Sequence, residues 1–129
     1  MRAVEFIAEN VTPQELHGLE DYLDQFYKTI GIDITLRGHF IDRVNDSRNG
    51  KPITVGELAR LFREEFKEYN TQIAELGPEA QAVLSDYATR INVPFVLKWD
   101  SEAKELDLIP KTAMRKKEFS TSNKVFPIR

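Results

Sequence analysis

A chain of 129 residues with 41% hydrophobic content is the size of one globular domain that can bury a core without covalent staples. It has no cysteine, which excludes disulfides, thiolate metal sites and a cysteine nucleophile; with His17 and His39 the only histidines, no metal centre and no cofactor is implied. The net charge of −3 hides a gradient from an acid-rich start to a tail carrying Lys111, Arg115, Lys116, Lys117, Lys124 and Arg129 against Glu118 alone, and no apolar run reaches the roughly 20 residues that span a bilayer, so a soluble protein with no membrane partner is expected.

Residues 1–9 form a short, mildly apolar leader, separated by Asn10 from the body at 10–129, which is expected to be a single domain. Thr12-Pro13-Gln14-Glu15 is a capping box with proline at the first helical position, and Leu16, Leu19, Leu23, Phe26, Tyr27 and Ile30 recur at helical spacing until Gly31 ends the element. His17 falls among Glu20, Asp21 and Asp24 on the solvated face. Ile32–Leu36 alternates apolar and polar residues and favours a short strand.

The stretch Arg37–Asp46 gathers a titratable base, arginines and an asparagine within a few residues. As a short helix it places His39 and Arg43 on one face and the anchors Phe40 and Val44 on the next. A loop with a tight turn at Asn49-Gly50 leads to a second capping box, Thr54-Val55-Gly56-Glu57. This box starts the longest helix, whose buried stripe is Val55, Leu58, Phe62, Phe66, Tyr69, Ile73 and Leu76. Gly77-Pro78 stops that helix and is expected to start another, with Ala80, Val83, Leu84 and Tyr87 turned inward.

From Ile91 the period changes to two. Val93, Phe95, Leu97 and Trp99 define a strand, Asp100–Lys104 turns it onto Glu105–Ile109, and Thr112–Lys116 supplies a third antiparallel strand. Val125, Phe126 and Ile128 are placed to add a last short one. Pro94 is expected at a sheet edge or at the beginning of its strand. The whole reads as an α+β domain, with N-terminal helices packed on a C-terminal antiparallel β-meander of three to four strands.

Glu5-Phe6-Ile7-Ala8-Glu9 resembles the end of the capsid-targeting leader of T-even-type phage internal proteins, with Arg2 and Ala3 standing where that leader has lysine and threonine. The resemblance implies cleavage by a prohead protease between Glu9 and Asn10, a capsid or prohead contact through the leader, and a location in the virion interior and then the host cytoplasm. The body, through Pro94–Asp100 and Lys111–Lys117, is similar to small proteins of tailed phages. His39-Phe40-Ile41-Asp42-Arg43 and Ile53–Leu58, followed by a meander with a basic end, resemble the barnase/colicin/RelE-type ribonuclease-toxin superfamily.

Metal-free RNA cleavage needs a base, an acid and a cation for the developing phosphorane charge. His39, Arg43 and Arg115 are the catalytic candidates, and Arg48, Lys98, Trp99, Lys111, Lys116 and Lys117 the candidates for gripping nucleic acid. Plainer roles stand beside these. His39, Asp42, Arg43 and Asp46 have the spacing of a surface ion-pair cluster, Trp99 that of hairpin packing, and Lys111–Lys117 that of a solvated strand edge. Three functions remain open: a phage protein acting on the host by binding RNA or an acidic host protein, a metal-independent ribonuclease-like effector, and a structural virion component.

Overall fold

The computed structural model describes residues 10–36 and 38–129. Their elements are, in order, α1 (Pro13–Tyr27), β1 (Ile32–Ile34), α2 (Phe40–Val44), α3 (Val55–Ala74), β2 (Gln81–Asp86), β3 (Ile91–Asp100), β4 (Glu105–Pro110), β5 (Met114–Arg115) and β6 (Lys124–Ile128). This is the expected α+β class with helices ahead of the main strands. The six strands form one mixed sheet in the order β1-β4-β3-β2-β6, with β5 paired to β3.

Local sequence sets the helix ends. Thr12 Oγ1 accepts from Glu15 N at 3.1 Å while the Glu15 carboxylate accepts from Thr12 N at 2.9 Å. Thr54 and Glu57 repeat this reciprocal cap at the start of α3, both bonds at 3.1 Å. Gly31, in the left-handed region at φ 77°, closes the turn after α1, where a Cβ would be strained. The long stripe of α3 survives a local break at Tyr69 (φ −128°, ψ 17°). Beside it the Asn70 amide donates to Phe66 O at 2.8 Å and competes with the helical ladder.

The helices α1 and α3 cover one face of the sheet. Alternation aims Ala82 and Leu84 of β2, Ile91, Val93, Phe95 and Leu97 of β3, Leu108 of β4 and Phe126 of β6 at that layer, where they meet the buried Leu23, Tyr27, Leu58, Leu61 and Phe62. The Tyr27 hydroxyl, inside this core, donates to Phe62 O at 2.7 Å, so its one polar atom is satisfied. The other face carries Val83, Ser85, Asn92, Pro94, Val96, Asp107 and Val125.

Three expectations need revision. The helix expected over Ala80–Tyr87 is the strand β2. Val83 and Leu84 point to opposite faces and both are buried, so the short apolar run lost the period-two signal that would have told strand from helix. Pro94, expected at an edge or a strand start, lies within β3 with β2 and β4 on either side. It is tolerated because its carbonyl accepts from Lys111 N at 2.8 Å where β4 has ended and β5 not begun, so the missing N–H faces a gap in the ladder. Of the expected meander, β3 and β4 pair antiparallel as foreseen, but the third strand expected over Thr112–Lys116 shrinks to Met114–Arg115 and pairs with β3 past the end of β4, β2 takes its place in the antiparallel run, and β1 joins β4 and β6 joins β2 in parallel, pairings between segments far apart in sequence.

Side chains occupy part of both sheet edges. On β1, Asp24 Oδ1 accepts from Ile34 N at 3.0 Å and Glu20 Oε2 accepts from Leu36 N, so carboxylates of α1 occupy two of the outward donors. On β6, Pro127 has no N–H to offer and its carbonyl accepts from the Tyr69 hydroxyl at 2.6 Å.

Candidate functional site

The short helix α2 forms as the sequence implies, with Phe40 and Val44 buried beneath it. Its C-terminal end is held by Asn49, whose Nδ2 donates to Arg43 O and Val44 O, both at 3.1 Å, and whose Oδ1 accepts from Arg115 N at 3.1 Å. This buried amide ties α2 to β5, bringing Arg43 and Arg115 to one cavity of about 440 Å³ together with Asp46, Arg48 and Lys116. His39 is not among its lining residues. It stands at the N-terminal end of α2 with its side chain 88% exposed and Nδ1 at 3.8 Å from Asp42 Oδ2.

Arg115 is engaged internally through all of its N–H groups. Nε donates to Lys51 O at 3.0 Å, Nη1 to Thr89 O at 2.8 Å and Glu57 Oε2 at 3.3 Å, and Nη2 to Pro52 O at 2.7 Å and Glu57 Oε1 at 2.8 Å. Burial alone would raise the Glu57 carboxyl, but the Arg115 guanidinium and the Thr54 N–H outweigh it and hold the group below its ordinary value. An arginine so committed positions structure and has no donor left for phosphate.

The other cations divide by the same test. Arg48 is folded back on Asp46 at 2.7 Å, and that hydrogen-bonded pairing holds the Asp46 carboxyl at about 2. Lys98 pairs with Glu79 at 2.7 Å, and Lys111 donates to Gln81 Oε1 at 2.8 Å. Arg43, Arg90, Lys116 and Lys117 make no side-chain hydrogen bond or ion pair with the described residues, and all four line cavities at the β5 end of the sheet. Trp99, 53% exposed and paired in register with Leu106, sits seven residues along β3 from Asn92, about 24 Å away at strand rise. Trp99 and Lys98 therefore belong to the opposite end of the sheet from Lys116 and Lys117.

A second cavity, of about 510 Å³, opens where the connection 116–123 leaves β5, beside β3, to reach β6 on the far side of β2. Lys116 lines both cavities. The floor of this one holds Ser85 and Asn92, 2% and 6% exposed, with Ser85 Oγ donating to Asn92 Oδ1 at 2.8 Å. Arg90, Lys117, Phe119 and Val125 line it too, together with Asp86, Tyr87 and Glu118. A helix over residues 80–87 hides Ser85, and nothing local marks Arg90 or Asn92; the β2–β3 register, which sets Ser85 opposite Asn92, is what puts these two on one face.

Beneath that floor, on the helix side, Glu65 is fully buried. One oxygen accepts from Ser85 N at 3.2 Å, and the other, Oε1, has no hydrogen-bond partner among the described residues. Burial first, then the charges of Glu68 and Asp86, push its carboxyl to about 9 against the pull of the Ser85 N–H, so it is protonated at neutral pH. Asp86, also buried, is paired with Arg60.

At the other end of the open face Asp33, Glu105 and Asp107 bring carboxylate oxygens within 4.8 Å of one another. Lys28 Nζ lies 3.2 Å from Asp33 and 3.4 Å from Glu105. The open face is thus acidic at β1/β4 and cationic at β5. His17 is exposed on α1, between Glu20 and Asp21. Asn10 is exposed, while Glu9 and the rest of the expected leader lie outside the described residues. No helix among the described residues is long and apolar enough to cross a membrane.

No protein-family model matches this chain, and no curated protein or solved structure matches it.

Proposed function

We propose that this chain is a phage-encoded protein that acts on the host by binding nucleic acid through the cationic end of its sheet. One observation carries the binding: Arg43, Arg90, Lys116 and Lys117 rim two cavities that share Lys116, and none of the four makes a side-chain hydrogen bond or ion pair with the described residues. Unpaired cations around a concave surface are the footprint that phosphate backbones engage; Arg43 stands on α2, Arg90 in the β2–β3 turn, and Lys116 and Lys117 in the connection that follows β5. The phage setting, the packaging in a capsid and the cleavage after Glu9 rest on the Glu5–Glu9 motif.

Binding is favoured over cleavage. The ribonuclease alternative needs His39 in one hollow with Arg43, Arg115 and the basic segment, whereas His39 is solvated against Asp42 and lines neither cavity, and Arg115 has no free donor, which leaves Arg43 alone of the three at the cationic rim. The test is titration of a labelled oligonucleotide into the wild type and into the Lys116→Glu, Lys117→Glu double variant. Binding should weaken in the variant, and the slope of log Kobs against log salt should flatten by about 1.4, as expected for two lost contacts to a single strand. His39→Ala should bind unchanged. An unaltered salt slope in the double variant, or oligonucleotide cleavage that His39→Ala abolishes, would overturn the reading.

A further inference from the structure

The cavity beneath the 116–123 connection has features that phosphate contacts alone do not require. Its floor is a buried polar pair. Ser85 Oγ donates to Asn92 Oδ1 at 2.8 Å, and Asn92 Nδ2 donates to Arg90 O at 3.2 Å, which leaves the second Nδ2 hydrogen and a lone pair on Oδ1 uncommitted among the described residues. Such an amide, buried at the bottom of a hollow, has the donor and acceptor needed to read the edge of a heterocyclic base. Phe119 and Val125 supply apolar wall, and Arg90, Lys116 and Lys117 supply positive charge. The frame is fixed because Arg90 O also accepts from Lys116 N at 2.9 Å, fastening the start of the connection to the β2–β3 turn. Arg90 itself holds a left-handed backbone at φ 63°, uncommon for a residue with a side chain. At about 510 Å³ the cavity falls within the roughly 300–1,000 Å³ usual for ligand sites.

We infer that this cavity receives one unpaired nucleotide of a single strand, its base against Phe119 with its edge on Asn92 and Ser85, and its phosphates at Arg90, Lys116 and Lys117. The inference rests on the nucleic-acid reading above and adds a preference for single strands. A base held in a duplex presents only its groove edge and cannot reach a buried floor, whereas an unstacked base can. Glu118, the one acid exposed beside the two lysines, is placed to accept from an exocyclic amine.

The test uses the full chain and a labelled ten-nucleotide strand, alone and annealed to its complement, at constant salt. Single-strand binding about tenfold tighter than duplex binding is expected, with Phe119→Ala losing about tenfold on the single strand and nothing on the duplex. Equal affinity of the wild type for both forms overturns the pocket and leaves the cationic rim standing. No binding of either form overturns the rim and the pocket together. A mononucleotide that binds as tightly as the strand overturns the strand and assigns the cavity to a free nucleotide. The wild-type comparison of the two forms decides the matter even if Phe119→Ala fails to fold.

Discussion

Arg115 on β5 grips Glu57 in the first turn of α3 with two N–H groups, at 2.8 and 3.3 Å, in a pair whose side chains are only 12% and 19% exposed. The same glutamate caps its own helix through Thr54 N. One carboxylate thus ends a helix and anchors a two-residue strand that could not hold its place by pairing alone.

Arg115→Ala should therefore cost about 3 kcal/mol, since it strands a half-buried carboxylate together with the carbonyls of Lys51, Pro52 and Thr89. Urea unfolding should show a lower midpoint at unchanged slope. Arg115→Lys should restore little, because an ammonium cannot reproduce the planar fork. Wild-type stability in the alanine variant would refute the structural role assigned here.

Asn49→Ala should loosen α2 from β5. It removes the donor to Arg43 O and Val44 O and the acceptor for Arg115 N at a site only 9% exposed, at a cost of about 2 kcal/mol. Hydrogen exchange should quicken across residues 40–50 before the sheet is affected.

Glu65 makes stability fall as pH rises. In the unfolded chain this carboxyl ionises near 4.5, while burial keeps it protonated in the fold to about 9. Between those values the unfolded state binds fewer protons, so its stabilising contribution, complete below the unfolded value, is lost as pH climbs through the folded one. Glu65→Gln keeps the shape without the charge and should flatten the profile, close to wild type near pH 5 and exceeding it by an amount that grows by up to about 1.4 kcal/mol per pH unit toward pH 9. Thermal melts across that range, with equal slopes for both proteins as the contrary result, decide it.

Asp24→Ala exposes the Ile34 N–H on the outer edge of β1. A loss of about 1 kcal/mol is expected, along with a shift toward dimers in light scattering as the uncovered edge finds another strand. If the variant stays monomeric at high concentration, the carboxylate is not acting as an edge guard.

Much of the fold was legible because it is written locally. A threonine three residues ahead of a glutamate, with a hydrophobic stripe behind it, specifies a helix start whatever surrounds it, and both boxes formed. The alternation of Val93, Phe95 and Leu97 likewise reported one buried face. Residues 81–86 were not legible, since β2 has its neighbours buried on both faces and a run of that kind carries no period.

The candidate site divided along the same line. That α2 would carry His39 and Arg43 followed from spacing. That Arg43 would meet Lys116, that Arg115 would turn inward, and that Lys98 and Trp99 would lie at the far end of the sheet followed from strand order.

Composition, caps and periodicity, all interactions within a few residues, were enough to determine the α+β class, the two long helices and the charge gradient of this chain. Which cations are spent on internal partners and which remain for a ligand was decided only by tertiary structure. An arginine's partners here come from three separate stretches of the chain, near residues 52, 57 and 89, and only the packed sheet and helix layers bring those stretches within hydrogen-bonding reach.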